Sequence, residues 1–509
     1  MSDARSGALE AVHPQSPRAS VDVESLAATV RRYAAARSWP SAGLVGAVAF
    51  VVTVIGSWVP SYWNDEAATM RLARLSPRGI LQFVEHKDAV HAVYALFMHE
   101  WIRLFGESEL STRLPSALAV GFGCAAVFLL ARSLDYARAA WPAAVVMLLL
   151  PRVMSNGVEA RSYAIATALI AWSAVWAVSA GRFGRWWRWS FFSLLMALSI
   201  VVFLYAALVV PALAFPLLLR RGSRRRGLAA FAIAAGCAGL VASPIAVLAA
   251  GQGGQIAWLD AQPVNVYTVG VESFYLSSWW GALFAVALLV LWFARRRREA
   301  QSVAARMAAA WLAIPALALL AASALFSPTF TPRYLSMCAP ALALLVGMAI
   351  TSWRQRTSAV LLAVTLLLAL PTAVSVRTED AKPGGQNFRQ VANIIRNNAR
   401  ANDGFLLANT GTVTLRPRLA LAAYPDAFDG LDDLALLTSY QTTGTYSDAL
   451  VDSVVVERRE LEKSRIWIVT RKDEAQPGGD SESLHQNGYE REAAWHVTGM
   501  TVALWVSNS

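Results

Sequence analysis

The sequence predicts a polytopic α-helical membrane protein with about eleven transmembrane helices and a small extracytoplasmic α/β domain at its C-terminal end. Three observations predict it. Of 509 residues, 56% are hydrophobic, the mean hydropathy is +0.43, and the apolar residues fall in long uncharged runs. The arginines collect in short loops between alternate runs. The stretch 377–509 is instead polar, with the mixed periodicity of helices and strands.

A run of roughly 20 apolar residues crosses the hydrocarbon core, and a backbone without water must close its hydrogen bonds within a helix. Such runs lie near 43–60, 114–132, 138–153, 161–179, 188–203, 204–220, 227–250, 277–294, 306–326, 334–352 and 358–376. Ser190–Leu219 is too long for one helix and divides near Tyr205. With the N-terminus inside, inner loops carry Arg132 and Arg138, Arg182, Arg185 and Arg188, Arg220–Arg226, Arg295–Arg298, and Arg354 and Arg356. The outer loop 251–276 has no Lys or Arg. This positive-inside pattern puts the 61–113 loop and residues 377–509 on the outer face of the membrane.

Residues 1–40 are Ser- and Arg-rich and lack the apolar core of a signal peptide. They are expected to form a disordered cytoplasmic tail with a short helix near Leu26–Ala36. The membrane domain then spans 41–376, with its chemistry in the first outer loop. The net charge of +11 is arginine in inner loops, so nucleic acid is not a partner; membrane lipids are. Cys124, Cys237 and Cys338 lie in apolar runs and suggest neither a disulfide framework nor a metal cluster. In the C-terminal domain a helix, Phe388–Arg400, turns through Asp403-Gly404 into a strand, Phe405–Ala408. Arg465–Thr470 and Met500–Val506 are further strands. No internal repeat is visible.

Four short constellations carry candidate chemistry. Asn64-Asp65-Glu66 follows the first run: it reads either as a helix N-cap or as a general base at the membrane surface. Glu85-His86-Lys87-Asp88-Ala89-Val90-His91 leads into Tyr94 and His99-Glu100-Trp101. Asp88, His91 and Tyr94 share a face if a helix begins by Asp88, and Ala92–Phe105 suits a helix lying in the interface. Asp65, Asp88 and His91 are also the candidate ligands for a divalent ion such as Mg or Mn, although their spacing matches no strong metal motif. Glu159-Ala160-Arg161-Ser162-Tyr163 and Pro332-Arg333-Tyr334 put arginines at the outer ends of two distant spans. The bland reading is interfacial anchoring. The functional one is an anion site, because a guanidinium fork matches phosphate oxygens. Trp258 and Gln255 in an outer loop are weaker candidates for sugar contact.

These residues resemble the GT-C superfamily of membrane glycosyltransferases, in the branch of protein O-mannosyltransferases and the lipid A aminoarabinose transferase. The resemblance runs through the whole membrane portion. Asp65-Glu66 looks like the family's acidic pair. Its most recognisable block is matched by Asp88 to Tyr94, Met98 to Trp101, Leu104 to Glu109 and Arg113-Leu114-Pro115-Ser116. Glu159 to Tyr163 and Arg333-Tyr334-Leu335 look like two later motifs. Many relatives carry Pro-Pro where this chain has His91-Ala92, a version similar to an actinobacterial subgroup labelled mannosyltransferase.

The resemblance implies helices around an outward cavity floored by interfacial helices. It also implies inverting transfer of a sugar, mannose or arabinofuranose, from a polyprenyl phosphate to a hydroxyl of a glycan, lipid or protein in the cell envelope. Asp65, Glu66 and Asp88 would be catalytic. Arg161, Arg333, Lys87, Tyr163 and Tyr334 would hold the donor phosphate, and His86, His91, Tyr94, Glu159 and Trp258 the substrates. Partial burial is expected to raise the pKa of Asp65 and make it a better base. The competing class is a lipid or sugar transporter. Carriers place ionisable groups near the midplane and show two similar halves, whereas these charges cluster at one surface.

Overall fold

The computed structural model describes residues 38–219, 224–254, 259, 262–409, 415–443, 448–472 and 484–508. The expected tail up to residue 37, its helix near Leu26–Ala36, and Gln255 and Trp258 lie outside the described residues.

Helix covers most of each expected apolar run, but by length and composition six spans, or up to eight if each bent pair counts as one, are found among the described residues against the eleven expected. Among the described residues, six helices are long and apolar enough to cross a membrane alone: Glu109–Ser133, Tyr163–Phe183, Arg225–Ala250, Val303–Leu325, Pro332–Thr351 and Gln355–Ser375. Two bent pairs of helices are together long and apolar enough, as a broken span or a re-entrant loop: Ala137–Leu149 with Pro151–Gly157 at 63° and Tyr267–Tyr275 with Trp279–Arg295 at 103°. Ser38–Val54, Trp186–Val202 and Leu204–Leu218 are shorter apolar helices. A 17-residue helix such as Trp186–Val202 is only about 26 Å long, a little under the ~30 Å hydrocarbon core. The Ser190–Leu219 run breaks at Phe203, whose extended backbone (φ −152°, ψ 99°) ends one helix before the next begins at Leu204. The 63° bend falls at Leu150-Pro151, where proline starts a new helix and forces an extended residue before it.

Charged loops gather at one end of the bundle: Arg138 pairs with Glu299 at 2.8 Å, Arg182 with Asp135 at 3.0 Å, and Arg296 donates to the Ser352 carbonyl at 3.2 Å. The other end of the Glu109–Ser133 helix carries Arg113 and the first loop. Within the bundle, Pro332–Thr351 is almost wholly buried, whereas Gln355–Ser375 buries only Ala369 and is otherwise exposed or half-buried, the pattern of a peripheral, lipid-facing helix. Small residues bring the central helices together. A Cβ on Gly347 would lie 2.6 Å from the backbone nitrogen of Ala143, an atom that cannot swing aside. Gly347→Ala is therefore expected to cost about 1–3 kcal/mol, read as a lower Tm in detergent. An unchanged Tm would mean that the two helices part freely.

The first loop folds into Asn64–Ala73, Pro77–His86, a 3₁₀ turn Ala89–His91, and Ala92–Phe105. The last of these buries Ala92, Tyr94, Ala95 and Met98 while exposing Phe97, Leu104 and Phe105, the two-faced pattern of an interfacial helix. The C-terminal domain has strands β1 (Gly404–Leu407), β2 (Asp432–Asp433), β3 (Leu436–Thr438), β4 (Ala449–Leu450), β5 (Arg465–Arg471), β6 (Tyr489–Val497) and β7 (Met500–Ser507). One sheet has the order β2-β1-β5-β7-β6, with β1 parallel to β5 and the β5-β7-β6 pairs antiparallel. The helix Phe388–Asn398 packs on this sheet through Phe388, Val391, Ala392 and Ile395. Strand β6 was not anticipated, because Glu490, Arg491 and Glu492 mask its alternation.

Candidate active site

The site is built around a buried ion pair. Arg113, fully buried at the start of its helix, donates through Nε to Glu66 Oε1 at 2.8 Å and through Nη2 to Oε2 at 2.7 Å. Its remaining N–H groups reach the carbonyls of Ser57 (2.7 Å), Pro60 (2.8 Å) and Ser61 (3.1 Å). Glu66 Oε1 also accepts from the Ala160 amide at 2.8 Å. Lys382 arrives from the far end of the sequence. Its Nζ donates to the Val158 carbonyl at 2.8 Å and lies 3.5 Å from Glu159 Oε1 and 4.0 Å from Glu66 Oε2. Burial works against the charge of Glu66, but Arg113 and Lys382 outweigh it and hold the carboxyl below its ordinary value.

Glu66 was expected among the catalytic groups. It is instead wholly buried with both oxygens engaged, and it has no face for a substrate. Glu159, expected at the substrate, is likewise buried between Lys382 and Ser155. Both position the elements that carry their neighbours.

Those neighbours converge. One residue along a helix is a rotation of about 100°, so Asp65 faces away from Glu66. The alternative reading of Asp65 as N-cap does not hold, since Trp63 occupies the cap and Asp65 sits in the first turn. Asp65 Oδ2 lies 2.5 Å from Arg333 Nη1 and 3.9 Å from Arg161 Nη2. Arg161 Nη1 donates to the Asp65 carbonyl at 3.2 Å and to Thr69 Oγ1 at 3.0 Å, and its Nη2 is 3.5 Å from His91 Nε2. The Arg333 guanidinium lies over the Trp63 ring, 5.4 Å from its centroid. Asp65, Arg161 and Arg333 keep 19%, 12% and 26% of their side-chain surface open, enough for a ligand to reach them.

The electrostatics correct one expectation. Burial does push the Asp65 carboxyl up, but Arg161 and Arg333 outweigh it, and the group sits below its ordinary value. Asp88 goes the other way: burial raises it, and Arg161 and Lys87 only partly oppose this. Burial and Arg161 together lower His91 to about 3, so its imidazole is neutral and Nε2 can accept. Asp88 does not share a helix with His91 and Tyr94. It stands before the 3₁₀ turn in the left-handed region, at φ 58°. Tyr94 is buried, and its hydroxyl has no hydrogen-bond partner among the described residues.

Tyr163 and Tyr334 join an aromatic cluster at the Phe203 break, with centroids 5.7 Å apart for Tyr163–Phe203, 5.6 Å for Phe203–Tyr334 and 5.0 Å for Tyr205–Tyr334. His86 and Lys87 are exposed at the end of Pro77–His86, and His86 Nδ1 lies 3.1 Å from the Gln82 carbonyl of its own helix. Sequence reasoning missed Arg152, Thr69 and Lys382. Arg152 follows the proline of the 63° bend and donates to the carbonyls of Glu272 (2.8 Å) and Ser273 (3.3 Å). The Pro151-Arg152 pair inside an apolar run was the one signal for it.

The candidate metal ligands do not suit a divalent ion. Asp65 is shared by two guanidiniums, and the His91 acceptor nitrogen faces Arg161. Among the described residues no three His, Cys, Asp or Glu side chains converge.

The C-terminal domain grips the same loop. Arg389 donates to Glu109 (2.8 Å) and to the carbonyls of Trp58, Val59 and Pro60 (each 2.9 Å). Tyr424 donates to Glu109 at 2.8 Å and accepts from the Tyr62 amide at 3.0 Å. The turn leading to Asp65 is thus held by Arg113 on one side and Arg389 on the other.

Comparison with known proteins bears on this arrangement. Residues 91–248 match the family model described as dolichyl-phosphate-mannose-protein mannosyltransferase, a segment that includes Arg161 and neither Asp65 nor Arg333. The structure is similar to that of ArnT from Cupriavidus metallidurans in the apo state, with a TM-score of 0.57 at 14% identity over 92% of this chain and 98% of that one. ArnT bound to undecaprenyl phosphate gives 0.57 and 14% over 91% and 97%. The Archaeoglobus fulgidus oligosaccharyltransferase is more distant, at 0.48 and 11% over 90% and 72%. No curated protein sequence gives a significant match. The chain has the GT-C fold, the fold of ArnT, and its central segment is similar to the dolichyl-phosphate-mannose-protein mannosyltransferase family.

Proposed function

We propose that this protein is an inverting glycosyltransferase that moves a sugar, mannose before arabinofuranose, from a polyprenyl-phosphate donor to an acceptor hydroxyl on the outer face of a bacterial plasma membrane. One observation carries the reading: a partly open carboxylate, Asp65, meets guanidiniums from two separate helices. That is the equipment the reaction needs, a proton acceptor beside a phosphate site. The family match, named for dolichyl-phosphate mannose, supports mannose, and the ArnT complex with undecaprenyl phosphate supports a lipid-linked donor. The arginine bias of the loops supports the outward orientation.

The step is a single displacement. Asp65 takes the proton of the acceptor hydroxyl as its oxygen attacks the anomeric carbon. The bond from that carbon to the phosphate oxygen breaks on the opposite face, and its electron pair leaves with the phosphate. Arg161 and Arg333 stabilise that charge, with Lys87 at the rim and the Tyr163–Tyr334 cluster beside them. Asp88 orients the acceptor, and His91 and Tyr94 line the approach. The same arginines hold Asp65 at rest and lower its basicity. A donor phosphate competes for them, and as they turn to it Asp65 recovers proton affinity. Binding of donor therefore arms the base.

The test is transfer from radiolabelled polyprenyl-phosphate mannose by the purified protein, with the arabinofuranose donor alongside. Movement of the labelled lipid across vesicles without sugar transfer would favour transport and sink the proposal. Arg333→Ala should weaken donor binding about 10–100-fold, as expected for losing one charged hydrogen-bond donor worth about 1.5–3 kcal/mol. Undiminished binding would remove Arg333 from the phosphate site.

A further inference from the structure

The C-terminal domain has a groove that the transfer site does not use. It lies between the helix Phe388–Asn398 and the edge strand β6, is shallow and open to solvent with a volume of about 580 Å³, and is lined by Gln390, Asn393, Asn397 and Asn398 on one side and Trp495 and His496 on the other. Gln390, Asn393 and Asn397 stand at i, i+3 and i+7, one stripe along the helix, beside the face that Phe388, Val391 and Ile395 bury. Apart from His496, no lining residue ionises, on a chain of net charge +11.

A solvated helix face is usually Lys, Glu and Gln, because Asn is a poor helix former. Asparagine in a row is thus unfavourable for the helix alone. Each primary amide offers two donors and an acceptor. The Asn397 side chain makes no hydrogen bond among the described residues, whereas Gln390 donates to Glu379 (3.0 Å), Asn393 Oδ1 accepts from Arg396 (3.0 Å) and Asn398 donates to the Ile394 carbonyl (2.8 Å), so each of these three keeps only part of its capacity. Across the groove the Trp495 indole is held rigid by stacking on Trp467, 5.6 Å away and 25° from parallel. An apolar ring face opposite neutral amides matches a sugar, whose C–H face packs on the ring while its hydroxyls exchange hydrogen bonds with amides.

Building on the proposed transferase function, we propose that this groove binds a neutral oligosaccharide, the growing glycan acceptor. The helix that lines the groove also touches the chain leading to the first loop at its N-terminal end. Arg389, the residue before Gln390, grips the Trp58–Pro60 carbonyls that lead to Asp65. A peptide added along β6 is less well served. That edge is guarded by exposed Glu490, Arg491 and Glu492, and its register shifts between Arg491 and Ala493.

The test uses the full chain in detergent or nanodiscs. Saturation-transfer NMR is run against neutral hexasaccharides of mannan, arabinan, galactan and glucan type, and against an extended Ser/Thr-rich peptide. Binding of at least one hexasaccharide is expected. The exposed pair Asn393→Ala/Asn397→Ala should weaken it at least tenfold with an unchanged Tm, and Trp495→Phe should weaken it too. No saccharide binding, binding indifferent to the paired substitution, or binding of the peptide alone would overturn the proposal. Undecaprenyl phosphate binding, measured on the same sample, should be untouched by the paired substitution. Its absence from the wild-type protein would instead count against the transferase reading, so the two failures are distinguishable.

Discussion

Asp65→Asn should slow sugar transfer about 10²–10⁴-fold, the usual contribution of a positioned general base, while undecaprenyl phosphate still binds. The amide keeps the shape and can still meet Arg333, but it cannot take a proton. Single-turnover transfer and donor binding on one preparation separate the two effects, and wild-type turnover in the variant would remove Asp65 as base. The pH profile is a second check. Asp65 lies below the ordinary carboxylate value despite burial, because Arg161 and Arg333 prevail. A group lowered in this way stays ionised until the pH falls through its depressed pKa. In kcat/KM, which reports the free enzyme, the acid limb should therefore lie below about 4, where a free Asp titrates. Arg333→Ala removes part of that pull and should move the limb upward. A limb that stays put would mean that another group sets it.

Arg113→Ala should be the most damaging single change to stability. It leaves the Glu66 carboxylate buried without its partner and strands three carbonyls. Breaking a buried pair from one side typically costs about 3–5 kcal/mol. The expected result is poor yield or a Tm lowered by several degrees, with activity lost alongside. Arg113→Met combined with Glu66→Gln removes both charges and should recover part of the Tm. A single variant as stable as the wild type would show that the loop does not depend on this pair.

The membrane architecture was legible because a bilayer imposes a crude requirement, some twenty apolar residues per crossing, that no tertiary contact can disguise. Even the break in Ser190–Leu219 fell within two residues of the expected Tyr205, at Phe203. The strands β1, β5 and β7 were legible for a similar reason, since each is a buried apolar run. The site was legible in part. Asp65, Arg161 and Arg333 stood out as charges at the same end of separate spans. The different burial of Asp65 and Glu66 did not, because adjacent helical residues face different ways and only the position of Arg113 decides which is buried. Lys382 was invisible for a stronger reason: its partners lie more than 220 residues earlier in the chain. The direction of the Asp65 shift was misjudged because burial can be guessed from sequence, whereas the balance of burial against two arginines depends on distance.

The route of Lys382 has a practical consequence for anyone recombining this protein with its relatives. Polarity changes near residue 377, and that is where a chimera would naturally be joined. A graft made there swaps out the ammonium that plugs the slot between Glu66 and Glu159. It also replaces Arg389 and Tyr424, which latch the turn ahead of Asp65. The membrane half would then keep every residue assigned to the chemistry and still lose the frame that aims them. The working seam lies inside the C-terminal domain, beyond the fingers it pushes into the bundle.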